Sequence, residues 1–204
     1  MRTYSAKTLQ WIQWIFRSIT WRIPTDEKVI YLTFDDGPIP EVTPWVLETL
    51  AAFDARATFF CIGDNVRKHP KIYEQILAAK HQVGNHTFHH LNGWISWNKT
   101  YLKDIKKCAE LVDSKLFRPP YGKLKPSQTR QIRKQYKVVL WDVLSGDFDA
   151  EITSEMCLNN VIENTTKGSI VVFHDSLKAE KHLRFVLPKV LEFYTKKGFR
   201  FDIL

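Results

Sequence analysis

The chain lacks the sequence features that mark several broad classes of protein. Its three cysteines, Cys61, Cys108 and Cys157, contain no CxxC pair and are odd in number. That argues against a disulfide framework and against a thiolate metal site. Buried reduced thiols are the simplest account, and they lean toward a reducing compartment. No GxGxxG or P-loop string is present, which speaks against a nucleotide-binding sheet. There is no internal repeat, no Gly/Ser linker and no low-complexity stretch. The 204 residues therefore read as one domain (1–204) built on one hydrophobic core. The net charge of +8 is carried without any basic run longer than two residues. A polyanionic partner and a solvated basic surface both fit that balance, and the dispersion favours the solvated surface. A nucleic-acid module would need a clustered basic stripe, which the sequence does not display.

Long apolar runs are also missing. Residues 9–23, LQWIQWIFRSITWRI, are too short and too polar to span a bilayer. They lack the apolar region and cleavage site of a signal peptide. Leu9, Ile12, Phe16, Ile19 and Ile23 recur at helical spacing. The spacing predicts an N-terminal helical extension over 1–24 whose stripe covers one end of the core. The alternative is an interfacial helix, with Trp11, Trp14 and Trp21 at headgroup depth and peripheral membrane contact through 9–23. The compartment is then cytoplasmic or peripheral to a membrane. Oligomeric state is not legible.

Beyond Pro24, strand-like and helix-like stretches alternate. Strands are expected over 28–34, 57–62, 82–85, 116–118, 137–143, 169–174 and 199–203. Helices are expected over 41–53, 70–80, 98–114, 126–135, 153–165 and 181–197, the last closed by Gly198. Continuous apolar strands are buried on both faces, as parallel strands under helices are. The pattern predicts an α/β fold, an incomplete, distorted (β/α) barrel of about seven parallel strands over 28–204.

Reactive residues in such folds sit where strands run into loops. Strand ends here carry Asp35 and Asp36, His86, Arg118, Asp142 and Asp147, then His174 and Asp175. His86 and His90 have HxxxH spacing, and one helical turn would put both imidazoles on one face, within reach of one ion. Two surface histidines would give the same spacing. An acid from another strand would complete a two-histidine, one-carboxylate set with open positions for water and substrate. That set predicts one divalent ion, zinc first, with cobalt or nickel able to substitute. His89 cannot share His90's direction and reads as a solvent or outer group. Asp35 and Asp36 diverge, so one can hold the ion while the other faces water; Asp-Asp-Gly-Pro is equally good turn chemistry. Arg118, stiffened by Pro119 and Pro120, is the cation that would keep such a carboxylate ionised. In Gly93-Trp94-Ile95-Ser96-Trp97 the indoles could stack on sugar rings, though packing down over the barrel mouth is the favoured reading.

Taken in order, TFDDGP (33–38), HTFHH (86–90), RPPYG (118–122), DVLSGDF (142–148) and VFHD (172–175) resemble the five motifs of the NodB-homology polysaccharide deacetylases. The resemblance covers roughly 28–204. It implies a metal-dependent hydrolase, of the carbohydrate esterase type, that removes N-acetyl groups from an N-acetylglucosamine-type polymer, peptidoglycan or chitin-like. An O-acetyl sugar or a non-sugar amide is the alternative substrate. Position by position it implies Asp35 as general base, with Asp36, His86 and His90 as metal ligands. It implies Arg118 as the partner that orients Asp35, Asp147 as the acid tuning the catalytic histidine, and His174 as general acid. Tyr121 would lend a backbone N–H to the oxyanion. Two positions depart from the common pattern. Phe148 stands where Trp is usual and Val172 where Leu is usual, so altered substrate fit is expected rather than lost chemistry.

Overall fold

Apart from the 137–143 stretch, the chain after Pro24 folds as its hydrophobic periodicity dictates, and most of the segment before it does not. The computed structural model describes residues 4–204. In chain order the elements are α1 (Gln10–Ile15), β1 (Val29–Asp35), α2 (Thr43–Ala51), β2 (Ala57–Cys61), α3 (Gly63–Lys68), α4 (Pro70–Ala78), β3 (Gln82–Asn85), α5 (Asn98–Ala109) and β4 (Leu116–Phe117). There follow α6 (Pro126–Ile132), β5 (Lys137–Val138), β6 (Val143–Leu144), α7 (Ser154–Ile162), β7 (Ile170–His174), α8 (Glu180–Lys196) and β8 (Arg200–Phe201). Seven strands form one parallel sheet in the order β5-β4-β3-β2-β1-β7-β6, and β8 pairs with the start of β1. The sheet curls into a half-barrel.

Period-two alternation divides the strands between two cores. Ile30, Leu32 and Phe34 of β1, Phe59 of β2 and Val171 and Phe173 of β7 point outward under the helices, where they meet Val46, Leu50, Leu183, Leu187 and Val190. Phe60, Ile170 and Val139 point inward, together with Tyr31 and Trp141, and fill the barrel. The inward set on β1 continues through Thr33 to Asp35, and on β7 through Val172 to His174. One face of each strand therefore begins apolar and ends in a titratable group. Gly198, at φ 75°, closes α8 in the left-handed conformation expected of it.

The expected strand over 137–143 is broken into β5 and β6, which lie at opposite ends of the sheet. Only four residues join them, so the two open edges face each other. The carbonyls of Val139 and Leu140 leave the ladder to accept hydrogen bonds from the Arg118 side chain.

The N-terminal expectation also needs correction. Helix stops at Ile15, with no side-chain cap and no buried residue. The rest runs as a strap of turns and isolated β-bridges, at Lys7, Thr20 and Arg22, across the gap. Ala6 and Thr8 pair with Leu144 and Asp142 on the β6 side, and Thr20 pairs with Val138 and Leu140 on the β5 side. Lys7 meets the buried Asp142 at 2.7 Å. Unpaired strand edges offer backbone hydrogen bonds that a six-residue helix cannot match, so pairing overrides helical periodicity. Ile19 and Ile23 pack inward as the stripe requires, whereas Leu9 and Phe16 stay about half exposed.

Candidate active site

The C-terminal ends of β1, β3, β4, β6 and β7 bring the charged residues of the sequence together. Asp35 and His174 are direct partners in the β1–β7 ladder, so both side chains project from the same face on adjacent strands. Asp36 turns the other way because its backbone is left-handed, at φ 83°. That turn is pinned from outside: Asn65 of α3 donates to the Asp36 carbonyl at 2.7 Å. The Asp175 carboxylate accepts the Gly37 N–H at 3.0 Å and the Thr43 hydroxyl at 2.5 Å. A Cβ on Gly37 would fall 1.9 Å from Asp175 Oδ2, so only glycine fits there.

His86 and His90 are brought together by a loop, not by the helical turn that their spacing suggests. Thr87 and His90 are left-handed, at φ 63° and 55°. Asp104 of α5 folds this loop: its Oδ2 accepts the Phe88 and His89 N–H groups at 2.8 and 2.9 Å. Its Oδ1 takes the His89 ring at 2.5 Å, which leaves His89 outside the cluster. His86 Nδ1 lies 2.8 Å from the Arg118 carbonyl, which can only accept. The ring proton is therefore on Nδ1 and the Nε2 lone pair is free. Burial drives the His86 pKa down to about 4 against the pull of Asp35, so the ring is neutral.

Asp36 Oδ1 lies 3.7 Å from His86 Nε2 and 3.2 Å from His90 Nε2. It is a buried oxygen with no hydrogen-bond partner. One ligand atom from each of Asp36, His86 and His90 lies within 4.8 Å of the others. An orphaned carboxylate oxygen facing a free imidazole lone pair, with a second imidazole nitrogen at 3.2 Å, is a donor set that fits a divalent cation with open coordination positions.

Two ion pairs flank this cluster. The fully buried Arg118 donates from Nη1 to Asp35 Oδ1 and to Thr33 Oγ1, each at 2.7 Å. Its plane rests on Phe60, 4.1 Å from the ring centre. On the other side, Asp147 accepts from the His174 ring at 2.8 Å and from the His174 backbone N–H at 2.7 Å. Burial disfavours the imidazolium, but the Asp147 charge and hydrogen bond outweigh it. With Asp36 and Asp35 adding to the pull, the His174 pKa is raised to about 9.

Phe148 stands edge-on to His174, with centroids 5.1 Å apart. Val172 is fully buried, two residues below His174 on the same face. Tyr121 is left-handed at φ 60°, and its exposed ring lies 4.7 Å from that of His90. Trp94 and Trp97 do not pack down over the barrel mouth; they are 59% and 83% exposed. Trp94 is held at the rim by its Nε1, which donates to the Leu124 carbonyl at 3.3 Å. Asn65 and Asp104 escaped the sequence reading because neither lies in a motif, and each acts across a tertiary contact. Asp175 was visible beside His174, but nothing local revealed that it grips Gly37.

The family model for polysaccharide deacetylases matches residues 22–141. A peptidoglycan-N-acetylglucosamine deacetylase of Bacillus cereus is 37% identical over 190 residues, 90% of this chain and 89% of that protein. A chitooligosaccharide deacetylase of Azorhizobium caulinodans is 36% identical over 162 residues, 76% of this chain and 77% of that protein. The crystal structure of a peptidoglycan N-acetylglucosamine deacetylase bound to an N-hydroxybenzamide superposes with a TM-score of 0.88 at 30% identity, covering 94% of each chain. The chain belongs to the polysaccharide deacetylase family of metal-dependent hydrolases.

Proposed function

We propose that this family member hydrolyses the N-acetyl groups of N-acetylglucosamine units in a glycan, peptidoglycan or a chitin-like polymer, and releases acetate. The observation that carries the reading is the Asp36–His86–His90 donor set flanked by one carboxylate held by arginine and one histidine held by carboxylate. A divalent cation bound by Asp36, His86 and His90, zinc in this reading with cobalt or nickel able to substitute, supplies Lewis-acid polarisation of the amide carbonyl and of water.

The chain's own residues do the rest. Arg118 occupies Asp35 Oδ1, which leaves Oδ2 to take a proton from the attacking water. The Tyr121 peptide N–H, on the left-handed turn beside His90, is the donor for the negative charge that develops on the carbonyl oxygen. Asp147 binds His174 Nδ1, so the imidazolium's second proton sits on Nε2, free to pass to the departing amine. An amide nitrogen leaves only once protonated. Acetate and a free amino sugar are the products. Phe148 and Val172 shape the acetyl side, and Trp94 and Trp97 offer exposed ring faces to the polymer. The whole of 1–204 acts as one catalytic domain, with residues 4–24 of the extension closing the barrel; residues 1–3 of that extension lie outside the described residues.

Acetate release from a panel of N- and O-acetylated glycans, with and without chelator, tests the reading. Chelator-sensitive release from N-acetylglucosamine oligomers or peptidoglycan is expected. Release from O-acetyl sugars alone overturns it.

A further inference from the structure

A groove of about 460 Å³ runs beside the catalytic rim, and its floor includes Pro119 and Gly122, on either side of Tyr121. Ile12, Phe16 and Trp21 of the N-terminal strap form one wall, and Trp94 and Leu124 form the other. Both walls carry apolar residues outward. Helix α1 buries none of its side chains. Leu9, Trp11, Trp14, Ile15 and Phe16 on one lip are 49–65% exposed, and Trp94, Ile95 and Trp97 on the other are 59–84% exposed. Thirteen large hydrophobic residues are exposed among the described residues, and eight of them fall in two segments, 9–16 and 94–97, that supply Phe16 and Trp94 to the groove. Scattered surface hydrophobics need no explanation, but a concentration of this kind marks a contact surface.

The same face has an unusual charge. All 22 carboxylate side chains lie outside residues 1–25, 75–103 and 114–141, the stretches that contain every residue lining the groove. Residues 114–141 alone hold eight lysines and arginines. Arg130 and Arg133 line the groove and make no ion pair among the described residues. At the lips the cations lie against the indoles: Arg17 is 4.7 Å from the Trp14 ring centre and Lys123 is 5.1 Å from that of Trp94. The groove lining itself holds two cations and no carboxylate.

We propose that this face seats the protein on an anionic lipid bilayer. Trp11, Trp14, Ile15 and Ile95 enter the boundary between headgroups and acyl chains, while Arg17, Lys123, Arg130 and Arg133 reach the lipid phosphates. Indoles settle at that depth because one end of the ring is apolar and the other donates a hydrogen bond. Long cationic side chains lay their stems on apolar surface and keep their heads in the polar layer. An acidic polymer in water would satisfy the cations but leave Leu9, Ile15 and Ile95 wet, since none of them offers a ring face or a donor. A second copy of the chain would press together two linings that each hold cations and no carboxylate. Because Tyr121 borders the groove, the mouth of the catalytic site opens next to the bilayer in this orientation.

Vesicle flotation tests the proposal without substrate, so its outcome is separable from that of the deacetylase reading. The probes are vesicles of phosphatidylcholine alone and of phosphatidylcholine mixed with phosphatidylglycerol. Binding to the mixed vesicles is expected, weakening with salt. Arg130→Gln with Arg133→Gln should lower the partition coefficient by about fivefold per cation. Trp11→Ser with Trp14→Ser should lower it by roughly tenfold or more. All four side chains are exposed, so melting temperatures should not move. Failure to float with anionic vesicles overturns the proposal. So does binding that the tryptophan variant leaves unchanged and a soluble acidic polysaccharide competes away, which would identify a polyanion groove. A concentration-dependent dimer abolished by Trp11→Ser with Trp14→Ser would identify a second copy as the occupant and equally overturn it.

Discussion

Replacing Asp147 by Asn isolates the electrostatics of the proposed general acid. The carboxylate is fully buried, and its two oxygens hold the ring and the backbone N–H of His174. Asn has the same shape and keeps one acceptor, but it removes the negative charge. Burial of the imidazole remains, and burial alone lowers a histidine pKa. The His174 pKa should therefore fall from about 9 to below its ordinary value of 6.5. A cation on Asp36 withdraws part of the pull on the parent histidine, so the span observed in the loaded enzyme will be somewhat narrower. A general acid works only while protonated, so activity is lost as pH rises through its pKa. The alkaline limb of kcat/KM against pH on a soluble N-acetylglucosamine oligomer should move down by about two units or more. Near pH 8.5 the variant would hold its proton about one hundredth of the time, a loss on the order of 10² in rate, while near pH 6 the deficit should be small. The same pair contributes to stability. With its folded-state pKa raised, His174 stabilises the fold fully below about pH 6.5, and that contribution fades as pH rises through about 9. The parent's melting temperature should fall across this window more than the variant's. A pH–rate profile for Asp147→Asn that overlays the parent's refutes the assignment.

Three further outcomes are expected. His86→Ala should lose the bound ion by elemental analysis, because it removes a neutral nitrogen ligand; full metal occupancy in that variant would show that the ligand set is wrong. Asp35→Asn should retain the ion and slow turnover by a factor of about 10², whereas Arg118→Ala should destabilise the fold by about 3–5 kcal/mol in urea titration, because it leaves a buried carboxylate without its partner. An Arg118→Ala protein as stable as the parent would remove the buried pair from the account. Deleting residues 1–23 should lower the melting temperature and increase dye binding, since it bares the β5 and β6 edges; an unchanged melting curve would contradict the strap's role in closing the barrel.

Much of this molecule is legible in one dimension because the relevant physics is local. Apolar strands such as 169–174 must be buried on both faces, and Asp35-Asp36-Gly37-Pro38 must turn, so a parallel sheet with charged strand ends follows from the sequence. The five motif strings name the site for the same reason, since each lies at the end of one strand. Other features depend on partners distant in sequence. Residues 9–23 carry a helical stripe, yet beyond Ile15 the chain turns out of the helix into isolated β-bridges, because open edges on β5 and β6 compete for its backbone. His86 and His90 have helical spacing, yet a left-handed loop brings them together because Asp104 and Gly63 hold its peptide groups. Asp175 lies 138 residues from the Gly37 it restrains. The groove is a further case: Arg130 and Arg133 line it together with Phe16 and Trp94, residues far apart in the sequence that only the tertiary fold brings together.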